Sequence, residues 1–146
     1  MNLILASTSP YRRRLLERLC LPFTCMDPAI EESMWEGESP PERASRLSTE
    51  KASAAAQTLQ GNAIVIGSDQ VACLGAQILH KPGTAEAAER QLAASSGQTV
   101  HFWTAVSVWA KPDQAPTQRV VPCEVKMRAL SADEITRYVA LDQPLD

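Results

Sequence analysis

The chain has 146 residues, enough for one domain with its own hydrophobic core. Fourteen basic and 17 acidic residues leave a formal net charge of -3, which argues against broad nonspecific binding to DNA or RNA. No stretch approaches the roughly 20 apolar residues needed to span a bilayer, and Arg12, Arg13 and Arg14 interrupt the apolar start where a signal peptide would need its core, so a cytoplasmic protein is the default.

In chain order, MNLILAS reads as a strand ending in small polar residues. Ser9 then caps a helix with Pro10 at its first position, where a missing N–H costs nothing. Leu15, Leu16 and Leu19 give that helix an apolar face, and Leu21-Pro22 ends it. A short extended piece follows over 23–26, then a loop over 27–39 carrying Glu31, Glu32, Glu36 and Glu38. Ser39 and Glu42 form a capping box for an Ala-rich helix reaching Leu59.

Ala63–Ile66 reads as a strand that polar Gly67-Ser68-Asp69-Gln70 interrupts and Val71–Leu74 resumes. Gly75-Ala76 turns into a brief strand over 77–79. After the loop His80-Lys81-Pro82-Gly83, Thr84 caps a third helix ending near 95–97. A long strand over 99–109 and its antiparallel partner over 118–127 flank a turn-rich connection at 111–116. Ser131 and Glu134 open a last helix to about Leu141. The order of elements predicts an α/β fold with a mixed sheet flanked by helices, in a single domain over 1–146.

Chemistry could reside at three places. At Ser7-Thr8-Ser9-Pro10-Tyr11-Arg12-Arg13 a strand runs into a capped helix, whose free N–H groups suit an anion. Arg12 and Arg13 add planar donors for phosphate oxygens, against the alternative of a solvated basic face. Asp69 sits in a strand-like apolar run, either at the mouth of a cleft or in an ordinary turn. In a cleft it could hold a divalent ion or take a proton from water, and Gln70 could read a nucleobase edge. Lys51 and Lys81 could neutralise phosphate or be plain surface lysines. Glu32 could join Asp69 as a hard ligand for magnesium or manganese, or belong with Glu31 to a solvated acidic loop.

Other chemistries find little footing. The four cysteines form no CxxC pair or zinc spacing, and the two histidines stand alone. No Walker A run or GxSxG elbow is present. Trp103 and Trp109 share a strand face and read as core or interface residues.

Taken together, LILASTSPYRRRLL, the glutamates after it, ESPPERASRLSTEKA, IVIGSDQV and HKP resemble the Maf family, also called septum formation inhibitor-like proteins, over nearly the whole chain. The resemblance is nearest to the branch that converts 7-methyl-GTP to 7-methyl-GMP and pyrophosphate. It implies an inosine-triphosphatase-like two-lobed fold flanking a cleft, and hydrolysis assisted by a divalent metal cation, magnesium or manganese. It implies that Ser7, Arg12 and Arg13 contact the triphosphate, that Lys51 and Lys81 assist, that Asp69 is the general base, and that Glu32 and Asp69 hold the metal. Tyr11 and Gln70 stand where the family varies with substrate; thymidine- and uridine-triphosphate branches tend to carry arginine and threonine there. An aromatic residue at 11 suits a cationic methylated purine. The expected partner is a nucleoside triphosphate, with no nucleic acid, no membrane and a possible homodimer. His80 departs from the family's usual glycine. Family members also commonly continue past this length, which raises a second expectation: a C-terminally truncated, non-catalytic nucleotide-binding or interaction protein.

Overall fold

A computed structural model describes residues 2–111 and 115–145; part of the turn expected at 111–116, residues 112–114, lies outside the described residues. Its elements run β1 (Asn2–Ala6), α1 (Pro10–Glu17), β2 (Thr24–Met26), α2 (Pro40–Thr58), β3 (Ala63–Leu74), β4 (Gln77–Leu79), α3 (Ala85–Ser95), β5 (Thr99–Ala110), β6 (Thr117–Lys126) and α4 (Ala132–Asp142). The strands form one mixed sheet in the order β2-β1-β3-β5-β6, with β4 paired to β3. β1 is parallel to both β2 and β3, whereas β4 runs antiparallel to β3. By compactness the chain divides into Met1–Gln70 with Trp103–Val121, and Val71–Phe102 with Pro122–Asp146.

In the first unit, small side chains set the packing. Ile4, Ala6, Ala52, Ala55, Ala56, Ala63 and Val65 form a buried cluster, with Met26, Leu59 and Trp109 against it. Alanines on β1, α2 and β3 allow close backbone approach. Gly67 carries this furthest, since a Cβ there would lie 2.1 Å from the Ser48 carbonyl oxygen and 2.6 Å from the Ala52 nitrogen. A fully buried hydroxyl pair, Ser48 and Ser107 at 2.8 Å, joins α2 to β5. Gln118 donates to Ser45, Thr49 and Ser107.

The second unit has its own core, in which α3 and α4 pack through Ala88, Ile135 and Val139, with Leu92, Leu130 and Leu145 around them. The Gly83 amide donates to the Leu145 carbonyl at 3.0 Å. Thr84 caps α3 and Ser131 caps α4, as their sequence positions lead one to expect. All four cysteines are free, with only Cys73 buried.

Two sequence expectations change. The polar Gly67-Ser68-Asp69-Gln70 does not interrupt a strand, because β3 runs unbroken over 12 residues. Gly67 permits the approach to α2 and Lys51 neutralises Asp69, so the polarity is absorbed by tertiary contacts. The first helix ends at Glu17, before Leu19, and a turn with Cys20 at φ 53° follows. Its leucine stripe is not core: Leu15 is 62% and Leu19 59% exposed, and no described side chain of α1 is buried. A stripe predicts burial only where another element covers it.

Candidate active site

Helix α2 and strand β3 bring the central charges together. The side-chain alternation of β3 turns Asp69 toward α2, where it is 6% exposed. Lys51 projects from α2 and is 5% exposed, not a surface lysine. Its Nζ donates to Asp69 Oδ1 at 2.6 Å. The same Nζ lies 2.6 Å from Glu32 Oε1, so two carboxylates from distant chain segments converge on one ammonium. Asp69 therefore occupies a strand beside a cation, not an ordinary turn.

The electrostatics follow from this crowding. Burial pushes the Asp69 carboxyl above its ordinary value, while the Lys51 hydrogen bond and charge pull it back. The Glu32 charge pushes it further up, and the Arg12 guanidinium acts in the opposite sense. Arg12 thus belongs to the electrostatic neighbourhood of Asp69.

At the β1–α1 junction, Ser7 is buried and its Oγ accepts from the Ser9 amide at 3.1 Å. Ser9 Oγ in turn accepts from the Arg12 amide at 3.4 Å, ordering the helix start. Arg13 turns away along the exposed flank of α1 and donates from Nε to Glu17 at 3.1 Å. Adjacent helical positions diverge by about 100°, which separates the two arginines. Tyr11 is 60% exposed on the same helix.

Gln70 points to the face of β3 opposite Asp69 and donates from Nε2 to Thr104 Oγ1 at 2.7 Å. Lys81 belongs to the second unit, where it is exposed between β4 and α3. Beside it, the His80 carbonyl accepts from Gln91 Nε2 at 2.6 Å. His101 faces Glu124 at 3.6 Å.

Sequence reasoning missed how the acidic loop is held. Arg43, only 8% exposed, donates from Nη2 to the Glu32 carbonyl at 2.9 Å and from Nη1 to the Ser33 carbonyl at 3.0 Å. Arg46 also donates to the Ser33 carbonyl at 3.0 Å and pairs with both oxygens of Glu38 at 2.6 and 2.8 Å. The Arg46 guanidinium stacks 4.2 Å from the centre of the Trp35 ring. The Arg46 hydrogen bond holds Glu38 below the ordinary carboxylate value despite its burial.

Among the described residues no cluster of three or more His, Cys, Asp and Glu side chains could cage a metal. The donor set nevertheless fits a magnesium-type ion. Such ions are held by one or two carboxylates together with substrate phosphate oxygens, and Glu32 and Asp69 already converge on a cation. No helix among the described residues is long and apolar enough to cross a membrane.

Residues 2–146 match the sequence profile described as Maf-like protein. The chain is 51% identical over 146 residues to the 7-methyl-GTP pyrophosphatase of Aromatoleum aromaticum, covering 99% of this chain and 74% of that protein. It is 44% identical over 146 residues to the 7-methyl-GTP pyrophosphatase of Pseudoalteromonas atlantica, covering 100% of this chain and 74% of that protein. Among solved structures, the Staphylococcus aureus Ham1 protein superposes with a TM-score of 0.55 at 16% identity, covering 86% of this chain and 71% of that one. That likeness establishes the mixed α/β fold.

Proposed function

The chain belongs to the Maf-like family, and from that premise we propose that it hydrolyses 7-methyl-GTP to 7-methyl-GMP and pyrophosphate. The observation that carries this reading is the convergence of Glu32 and Asp69 on the buried Lys51 ammonium. Two relatives named 7-methyl-GTP pyrophosphatase, at 51% and 44% identity, support the choice of substrate. The exposed aromatic ring of Tyr11 supports it on physical grounds, because a methylated guanine is cationic and favours an aromatic face.

The reaction needs a base, a place for phosphate charge and a leaving group. Asp69 takes a proton from water, whose oxygen forms a bond to phosphorus at the α–β anhydride while the bridging P–O bond breaks and pyrophosphate departs. Burial favours this proton acceptance by making the ionised carboxylate costly. The Lys51 ammonium, held next to the base, neutralises charge growing on the phosphoryl oxygens. Arg12 and the amides at the start of α1 receive phosphate, and Ser7 fixes that junction through the Ser9 amide. Arg13 joins as an exposed cation by giving up its solvent-screened pair with Glu17. Glu32 and Asp69 would hold a magnesium or manganese ion, which would supply Lewis-acid neutralisation of the phosphates. Gln70, oriented by Thr104, contributes to base selection.

Product analysis with Asp69→Asn tests the reading. The parent chain should release equal amounts of pyrophosphate and monophosphate, and the variant should lose turnover by about 10²–10⁴-fold while still binding a nonhydrolysable triphosphate. Unchanged turnover in the variant would remove Asp69 from its role.

A further inference from the structure

Glu32 lies in a 13-residue stretch, 27–39, that contains no helix or strand. Fixing each residue of such a loop costs about 1–2 kcal/mol of backbone entropy. Yet its carboxylate meets Lys51 Nζ at 2.6 Å while remaining half exposed. Something must hold the loop in place, and its contacts with α2 identify it.

We propose that Arg43 is a positioning residue that presents the Glu32 carboxylate to the catalytic cation site. The proposal rests on the reading of Glu32 and Asp69 as the metal-facing pair. Positions 43, 47 and 51 follow one another at i, i+4 and i+8 and so share a face of α2. Arg43 grips the Glu32 backbone carbonyl at one end of that face, and Lys51 grips the Glu32 carboxylate at the other. Buried Leu47 stands between them in sequence on that face. The two successive carbonyls of Glu32 and Ser33 receive the two arms of one planar guanidinium, at 2.9 and 3.0 Å. A lysine has no fork with which to span both. Arg46 reinforces the clamp one turn on, through the Ser33 carbonyl, Glu38 and the Trp35 ring. Arg43 meets Glu32 through its backbone carbonyl, while the Glu32 carboxylate meets Lys51.

The test is a double-mutant cycle between Arg43 and Glu32, read by direct titration of the full chain with manganese alone through water-proton relaxation, with urea unfolding alongside. Arg43→Met should weaken manganese binding roughly tenfold, the scale for losing a residue that orients a metal ligand. Arg43→Lys keeps the charge and packing but should recover less than half of that loss. In the Glu32→Gln background, Arg43→Met should weaken manganese binding no further. Equal weakening by Arg43→Met in both backgrounds, or none in a folded variant, would overturn the positioning role alone. Should Arg43→Met fail to fold, full manganese affinity in Arg43→Lys would overturn it. Unaltered manganese binding in Glu32→Gln itself would overturn the site reading on which the proposal stands.

Discussion

Lys51 and Asp69 form a buried ion pair, Nζ to Oδ1 at 2.6 Å, with their side chains 7% and 8% exposed. Breaking such a pair from one side leaves an uncompensated charge in the interior. Lys51→Met should therefore destabilise the fold by about 3–5 kcal/mol in urea unfolding. Asp69→Asn should cost less, because Lys51 retains Glu32 as a partner. The Lys51→Met/Asp69→Asn double variant should regain part of the Lys51→Met loss. A Lys51→Met variant as stable as the parent would contradict the pair's structural role.

Gly67 is required for space, since its backbone is not in the left-handed region. Gly67→Ala drives a methyl group into the backbone of α2, and overpacking of this kind costs about 1–3 kcal/mol. Separating β3 from α2 also pulls Asp69 from Lys51, so turnover should fall more steeply than stability. Denaturant unfolding and turnover measured on one preparation check both parts; an alanine tolerated in both would contradict the close approach.

The start of α4 carries a pH signature. Glu134 is held down to about 2, chiefly by its hydrogen bond from Arg128 and then by the Ser131 amide. A depressed folded value means that the stabilisation is present above the ordinary value of 4.5 and is lost as pH falls from there toward about 2. Glu134→Gln should flatten stability against pH across that window and leave neutral-pH turnover intact. Ser131→Ala should cost about 1 kcal/mol at neutral pH, as for other lost caps. Thermal unfolding across an acidic pH series measures both; an acid limb unchanged in Glu134→Gln would contradict the assignment.

What was legible in the sequence was local. Ser39 with Glu42 and Ser131 with Glu134 mark the starts of α2 and α4, because a capping box is complete within four residues. Alternating apolar positions likewise mark β5. The residue types of the proposed site were legible in the sequence, and of these Glu32, Lys51 and Asp69 do meet. What escaped depended on distant partners. Lys51 lies 18 residues before Asp69 and makes its charge acceptable within an unbroken strand. Arg43 reaches back 11 residues to hold the carbonyl of Glu32, a contact for which no periodicity or motif gives a signal. The leucines of α1 show the reverse case, a pattern of burial without a covering element among the described residues.

The central claim is tested most directly by pyrophosphate release from 7-methyl-GTP, GTP, TTP and UTP, each with magnesium or manganese, by the 146-residue chain itself. The account predicts release that favours 7-methyl-GTP over the other three. No release from any triphosphate by the folded, metal-supplied protein, or a preference for TTP or UTP, would contradict it.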